Sequence, residues 1–173
     1  MADKPGDAAA RAAPAAASAS QRLKLQTDYG KAMMWSKGFG AAETKAAFSR
    51  AGELAVGAAA AQRFPAYYGL WVGKSLRGEL ASAQETAEIF LREANTEGCK
   101  TEAAVASRIL GMTCLWQGDF VEARAHLENS LENYDPVRDR EAKFLFGWDI
   151  GASASAQIGS PVGDRCSIRA SLT

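Results

Sequence analysis

The segment Gly69-Leu70-Trp71-Val72-Gly73-Lys74-Ser75 comes nearest to nucleotide chemistry in this chain. A phosphate-binding loop needs GxxxxGK[ST], so that successive backbone amides wrap the phosphates before a helix begins. Here one residue is missing between the glycines, and no strand pattern precedes them. A helical pattern runs through the segment instead, which makes Gly69 and Gly73 small residues at a close helix contact. Metal-assisted chemistry on a triphosphate needs paired carboxylates. Asp135, Asp139 and Asp149 are the most closely grouped aspartates, but they stand at a helix connection, where aspartate serves as a turn and cap residue. The single histidine, His126, excludes any site built on two. It lies between the apolar positions Ala123 and Leu127 with no nucleophile in local reach, which favours a packing role. Cys99, Cys114 and Cys166 form no CxxC pair, so neither a zinc site nor a disulfide framework is indicated. Their spacing fits a reducing, cytoplasmic compartment, with Cys114 a small core residue and Cys166 in a tail. No catalytic, cofactor-binding or metal-binding residue is expected.

Contact chemistry is better represented. Trp35, Tyr67, Tyr68, Trp71, Trp116 and Trp148 all fall on the first helices of predicted helix pairs. Filling the space between helices is the leading use of such residues. The alternative is a partner-binding groove with Tyr68, Trp71, Lys74, Arg77 and Trp116 as its contacts.

The elements that must position these residues are helical. The 173 residues carry 20 basic and 20 acidic side chains, and 47% are hydrophobic, ordinary values for one globular domain or one domain plus a tail. Electroneutrality argues against nucleic acid as a partner. No stretch reaches the roughly 18–20 continuous apolar residues of a membrane span. Residues 1–20 hold ten alanines and no large apolar side chain beyond the initial Met, which predicts a disordered tail. From Gln21 the apolar spacing is that of helices, and no window alternates at period two.

Gly38, Gly78 and Gly118 recur at intervals of 40 residues, each followed by an alanine-rich helical stretch. A fixed period with a turn glycine in every unit marks a helical repeat. The spacing predicts helices over 21–36, 42–56, 65–77 and 79–94. It predicts a fifth capped by Thr101 and ended by Gly118. A sixth is capped by Asp119, with Glu122 three residues on. A further first helix from about Arg140 should run toward Gly159. Ser160-Pro161-Val162-Gly163 then breaks the pattern, so 158–173 reads as an irregular tail.

Leu110-Gly111, Gln117-Gly118-Asp119-Phe120, Ala123, Leu127, Leu131 and Asp135-Pro136 resemble the tetratricopeptide consensus across residues 21–157. Ser107 and Ser130 depart from it, as do Trp71 and Lys74 in the second unit. The resemblance implies an all-α superhelix of about seven helices that binds a protein or peptide. The run from Gly118 through Ala125-His126-Leu127-Glu128 and Tyr134-Asp135-Pro136 to Phe144-Leu145-Phe146-Gly147-Trp148-Asp149-Ile150-Gly151 is similar to a narrower group. It resembles the C-terminal repeats of bacterial class III adenylate/guanylate cyclase–AAA ATPase signalling proteins. That resemblance implies a non-catalytic regulatory module, a fragment lacking the cyclase and ATPase parts, with an ATPase domain or a second copy as further possible partners.

Overall fold

The computed structural model describes residues 5–38 and 40–159, with side chains from Ser18 onward except at Ala61. Among them the fold is all-α, with no strand. The helices are α1 (Pro5–Lys37), α2 (Ala42–Ala55), α3 (Ala60–Leu76), α4 (Leu80–Thr96), α5 (Lys100–Gln117) and α6 (Phe120–Asn133). A 3₁₀ turn (Arg138–Glu141) then leads into α7 (Ala142–Phe146) and α8 (Ile150–Ile158). Helix α1 reaches back through the alanine-rich segment whose composition suggests a disordered tail; alanine has the highest intrinsic helix propensity. Cys166 and the 160–173 stretch lie outside the described residues.

The glycine period marks real boundaries. Gly38, Gly78 and Gly118 stand just past α1, α3 and α5 at φ of 95°, 73° and 83°. Gly57 and Gly98 close α2 and α4 in the same left-handed conformation, so the punctuation comes about every 20 residues. At Gly118 a Cβ would meet nothing within 4 Å, so backbone conformation alone selects glycine there. Asp119 then caps α6, its carboxylate accepting the Glu122 N–H at 3.2 Å.

Three local expectations need correction. The third helix starts at Ala60, and Pro65 sits inside it. The N-cap of α5 is Cys99; the Thr101 hydroxyl donates instead to Asp139, 38 residues on. The helix expected to run on from Arg140 is interrupted at Gly147, with φ of 77°. Asp149 restarts it as α8 by accepting the Ala152 N–H at 2.8 Å. This break raises the count to eight α-helices among the described residues, against about seven expected.

Each helix from α1 to α5 packs on its successor, and α8 returns against α6 and α5. The odd-numbered helices also touch in series, α1 on α3 and α3 on α5. Small residues set the closeness of these contacts. A Cβ on Gly111 would lie 2.6 Å from Leu127 Cγ, so the Leu110-Gly111 pair lets α6 press against α5. A Cβ on Gly69 would overlap the Phe48 ring, and one on Gly30 of α1 would lie 3.0 Å from the same ring. The main core joins α3, α4, α5, α7 and α8 through residues such as Phe64, Trp71, Phe90, Val105, Ile109, Phe146 and Ile150. Burying each large side chain contributes about 1.5–3 kcal/mol.

Candidate functional site

Gly69 to Ser75 lie within α3. Their backbone amides are therefore committed to the helix, and Gly69 is the seat of Phe48. The three aspartates are likewise occupied by local duties. Asp135 accepts the amides of Val137 and Arg138 at 2.8 and 3.0 Å. Asp149 caps α8. Asp139 is buried and takes a two-pronged ion pair from Arg138 Nε and Nη2, both at 2.7 Å, together with the Asp135 amide at 2.9 Å. Burial alone would push the Asp139 carboxyl up. The hydrogen bonds from Arg138, the Asp135 amide and Thr101 outweigh it and hold the carboxyl below its ordinary range. His126 is half-buried on α6. Burial, with nearby acidic groups, raises the thiols of Cys114 and Cys99, which weakens both as nucleophiles.

The aromatic residues separate into two sets. Tyr68 and Trp71 are buried, at 5% and 4% exposure. The Trp71 indole N–H donates to Thr113 Oγ1 of α5 at 2.9 Å, and its ring stacks on Trp116 at 5.8 Å. Trp116 is half exposed, while Trp35 and Trp148 stand largely in solvent. Lys74 reaches α4, donating to Thr86 Oγ1 at 2.8 Å and to the Ser82 carbonyl at 3.2 Å. Arg77 grips Glu79 through two hydrogen bonds of 2.6 and 2.7 Å. Of the five residues proposed as groove contacts, Trp116 and Arg77 offer the most accessible surface, and Tyr68 and Trp71 lie beneath it.

What covers Tyr68 is the segment between α6 and α8. Its start is tied to α5 by the Thr101–Asp139 hydrogen bond. Phe146 of α7 drops into the core edge-on to Tyr68, with ring centroids 5.5 Å apart, and 6.2 Å from Phe90. Leu145 lines a cleft of about 290 Å³ together with Lys24, Asp28 and Lys31 of α1 and Gln62 and Pro65 of α3. The segment thus touches α5 and α3 and faces α1 across the cleft.

Beside it lies a residue that the sequence reading passed over. Arg108 of α5 is 1% exposed. Its Nη1 contacts Met112 Sδ at 3.3 Å and Ser153 Oγ of α8 at 3.4 Å. Its Nε and Nη2 are buried without a hydrogen-bond partner. The Tyr68 hydroxyl adjoins it: burial raises the Tyr68 pKa, and the neighbouring guanidinium works against that rise. The available signal was the run Ala103-Ala104-Val105-Ala106-Ser107-Arg108-Ile109-Leu110-Gly111. It gives α5 small or apolar residues on every side, the pattern of a helix surrounded by others. An arginine in such a run is buried.

The architecture defines the class: an all-α protein of helix hairpins packed in chain order, with a crossing segment laid over the first helices. Set against family models, curated proteins and solved structures, the chain matches none of them. Among the described residues no helix is long and apolar enough to cross a membrane.

Proposed function

We propose that the chain is a non-catalytic interaction module in which tetratricopeptide-like hairpins form a superhelical array, serving a cytoplasmic signalling protein of the bacterial kind it resembles. One observation carries this reading. The same unit, a helix ended by a left-handed glycine and followed by a partner helix, recurs at 40-residue steps, and its first helices touch in series. A hairpin of this kind cannot bury its apolar face alone and leans on its neighbours, which leaves an extended surface for a protein or peptide. Recognition there would rest on shape and a few polar anchors, or on packing against an ATPase domain to restrain it. The test is a fluorescence-anisotropy screen of purified chain against labelled peptides of acidic, basic and neutral composition, with ATP and Mg²⁺ turnover measured in parallel. Saturable binding without cyclic AMP or ADP formation supports the module. Binding of no peptide, or genuine turnover, refutes it.

Self-association is favoured by a separate observation. Val137, Phe144, Leu145 and Trp148 together expose apolar surface on and around α7. Light scattering across a concentration series distinguishes a dimer from a monomer.

A further inference from the structure

Arg108 is the one described arginine that is fully buried while two of its nitrogens lack a partner. Removing a cation from water is unfavourable unless an opposite charge and hydrogen bonds replace the hydration. Here its polar neighbours include a thioether, a serine hydroxyl and a tyrosine hydroxyl, all neutral. The two unbonded nitrogens, Nε and Nη2, form one edge of the guanidinium fork. Their N–H groups point the same way, at the spacing of the two oxygens of a carboxylate. That edge has the shape to take a carboxylate, and beside it stands the neutral Tyr68 hydroxyl rather than an acidic group.

The crossing segment reaches this guanidinium's neighbour, Tyr68. Gly147 packs where a Cβ would lie 3.5 Å from the Tyr68 hydroxyl, next to the guanidinium. Ser153 of α8 lies on the Nη1 side. Phe146 fixes the segment in the core, yet α7 is only five residues long, and Gly147 ends it in a left-handed turn. Its outer residues Phe144 and Trp148 are exposed. The segment is secured by Phe146 and Ala142 in the core and by the ties of Asp139 and Arg138 to Thr101 of α5.

Resting on the module reading above, we propose that the first-helix face around Tyr68 and Arg108 receives an acidic peptide, one carboxylate of which pairs with the Nε–Nη2 edge of Arg108. The segment 136–149 occupies that face in the free protein and must swing aside to admit the peptide. Binding is weakened by whatever fraction of the chain is closed, so loosening the segment tightens apparent affinity. An acidic occupant is selected because it neutralises a charge that the closed state leaves uncompensated.

The experiment uses the full chain and a fluorescein-labelled octaglutamate peptide, with octalysine and octaglutamine as controls. Octaglutamate binding should tighten by about tenfold or more in Phe146→Ala and fall by about tenfold or more in Arg108→Met. On the wild type, peptide binding should speed hydrogen exchange across residues 138–149 while α3 to α6 stay protected. This readout holds even where Phe146→Ala fails to fold. Arg108→Met should also raise Tm, because the uncompensated charge is gone and the volume is nearly kept. The proposal is overturned if Arg108→Met binds octaglutamate like the wild type, if its Tm falls, or if 138–149 keep their protection at saturation. Preferential binding of octalysine or octaglutamine overturns the acidic partner while leaving the interaction module intact. Binding of none of the three by either the wild type or Phe146→Ala overturns the proposal, and the wider peptide screen then decides the module.

Discussion

Gly69→Ala is the sharpest probe of how the hairpins fit together. On an exposed helix this change would stabilise by up to about 1 kcal/mol, through helix propensity alone. In α3 the new methyl falls on the Phe48 ring. That ring is buried at 3% exposure, and Gly30 of α1 also packs closely on it. A buried ring held closely by glycines of two helices has little room to retreat. Over-packing a filled site typically costs about 1–3 kcal/mol. Set against the propensity gain, the net is a loss of about 1–2 kcal/mol. In a chain of this size that lowers Tm by roughly 2–8 °C. Thermal unfolding followed by circular dichroism measures it directly. A companion variant isolates the cause. Phe48→Ala alone should cost about 3–5 kcal/mol, but in its presence Gly69→Ala should become stabilising by up to about 1 kcal/mol. A wild-type background in which Gly69→Ala raises Tm would refute the close fit, and with it the explanation of why glycine stands in that motif.

Further outcomes follow from contacts across the helices. Thr113→Val keeps the side-chain shape but leaves the buried Trp71 N–H unpaired. It should cost about 1–3 kcal/mol in urea unfolding, whereas equal stability would show that the 2.9 Å hydrogen bond contributes nothing. Asp139 has a folded-state pKa held below its ordinary range, so its contribution is complete above the unfolded value of about 3.9 and is lost as pH falls through the lower folded value. Asp139→Asn should flatten the acid limb of stability between pH 5 and 2, and an unchanged limb would disprove the tie to Thr101 and Arg138. Gly118→Ala meets no neighbour but forces an L-residue to φ of 83°. The expected loss is roughly 1–2 kcal/mol, read by Tm, and no change would mean the turn had relaxed to another conformation.

What the sequence determined by itself is the sequence of helices and where most of them stop. Those features are short-range. A glycine past a helix end, an aspartate three residues before the amide it caps, and an apolar face at helical spacing act within about two turns. Gly38, Gly78, Gly118 and the Asp119 cap are therefore legible without a fold. The central boundaries of α2 and α4 fell within two residues of their expected places for the same reason.

The tertiary structure alone decided what the side chains do once the helices meet. Thr101 has the type and position of a cap, yet its hydroxyl goes to Asp139, 38 residues away. The segment expected to continue as one helix from Arg140 breaks at Gly147, where it turns beside the Tyr68 hydroxyl. Trp71 pairs with Thr113 over 42 residues, and Arg108 meets Ser153 over 45. Local spacing holds no information about such pairs, because they depend on which faces remain after every hairpin has packed. Whether an aromatic or an arginine becomes core or contact surface is thus a property of the assembled helices. The small and apolar run around Arg108 hints at a surrounded helix, but only the packing of α3 and α8 on α5 made it the one fully buried and incompletely bonded guanidinium among the described residues.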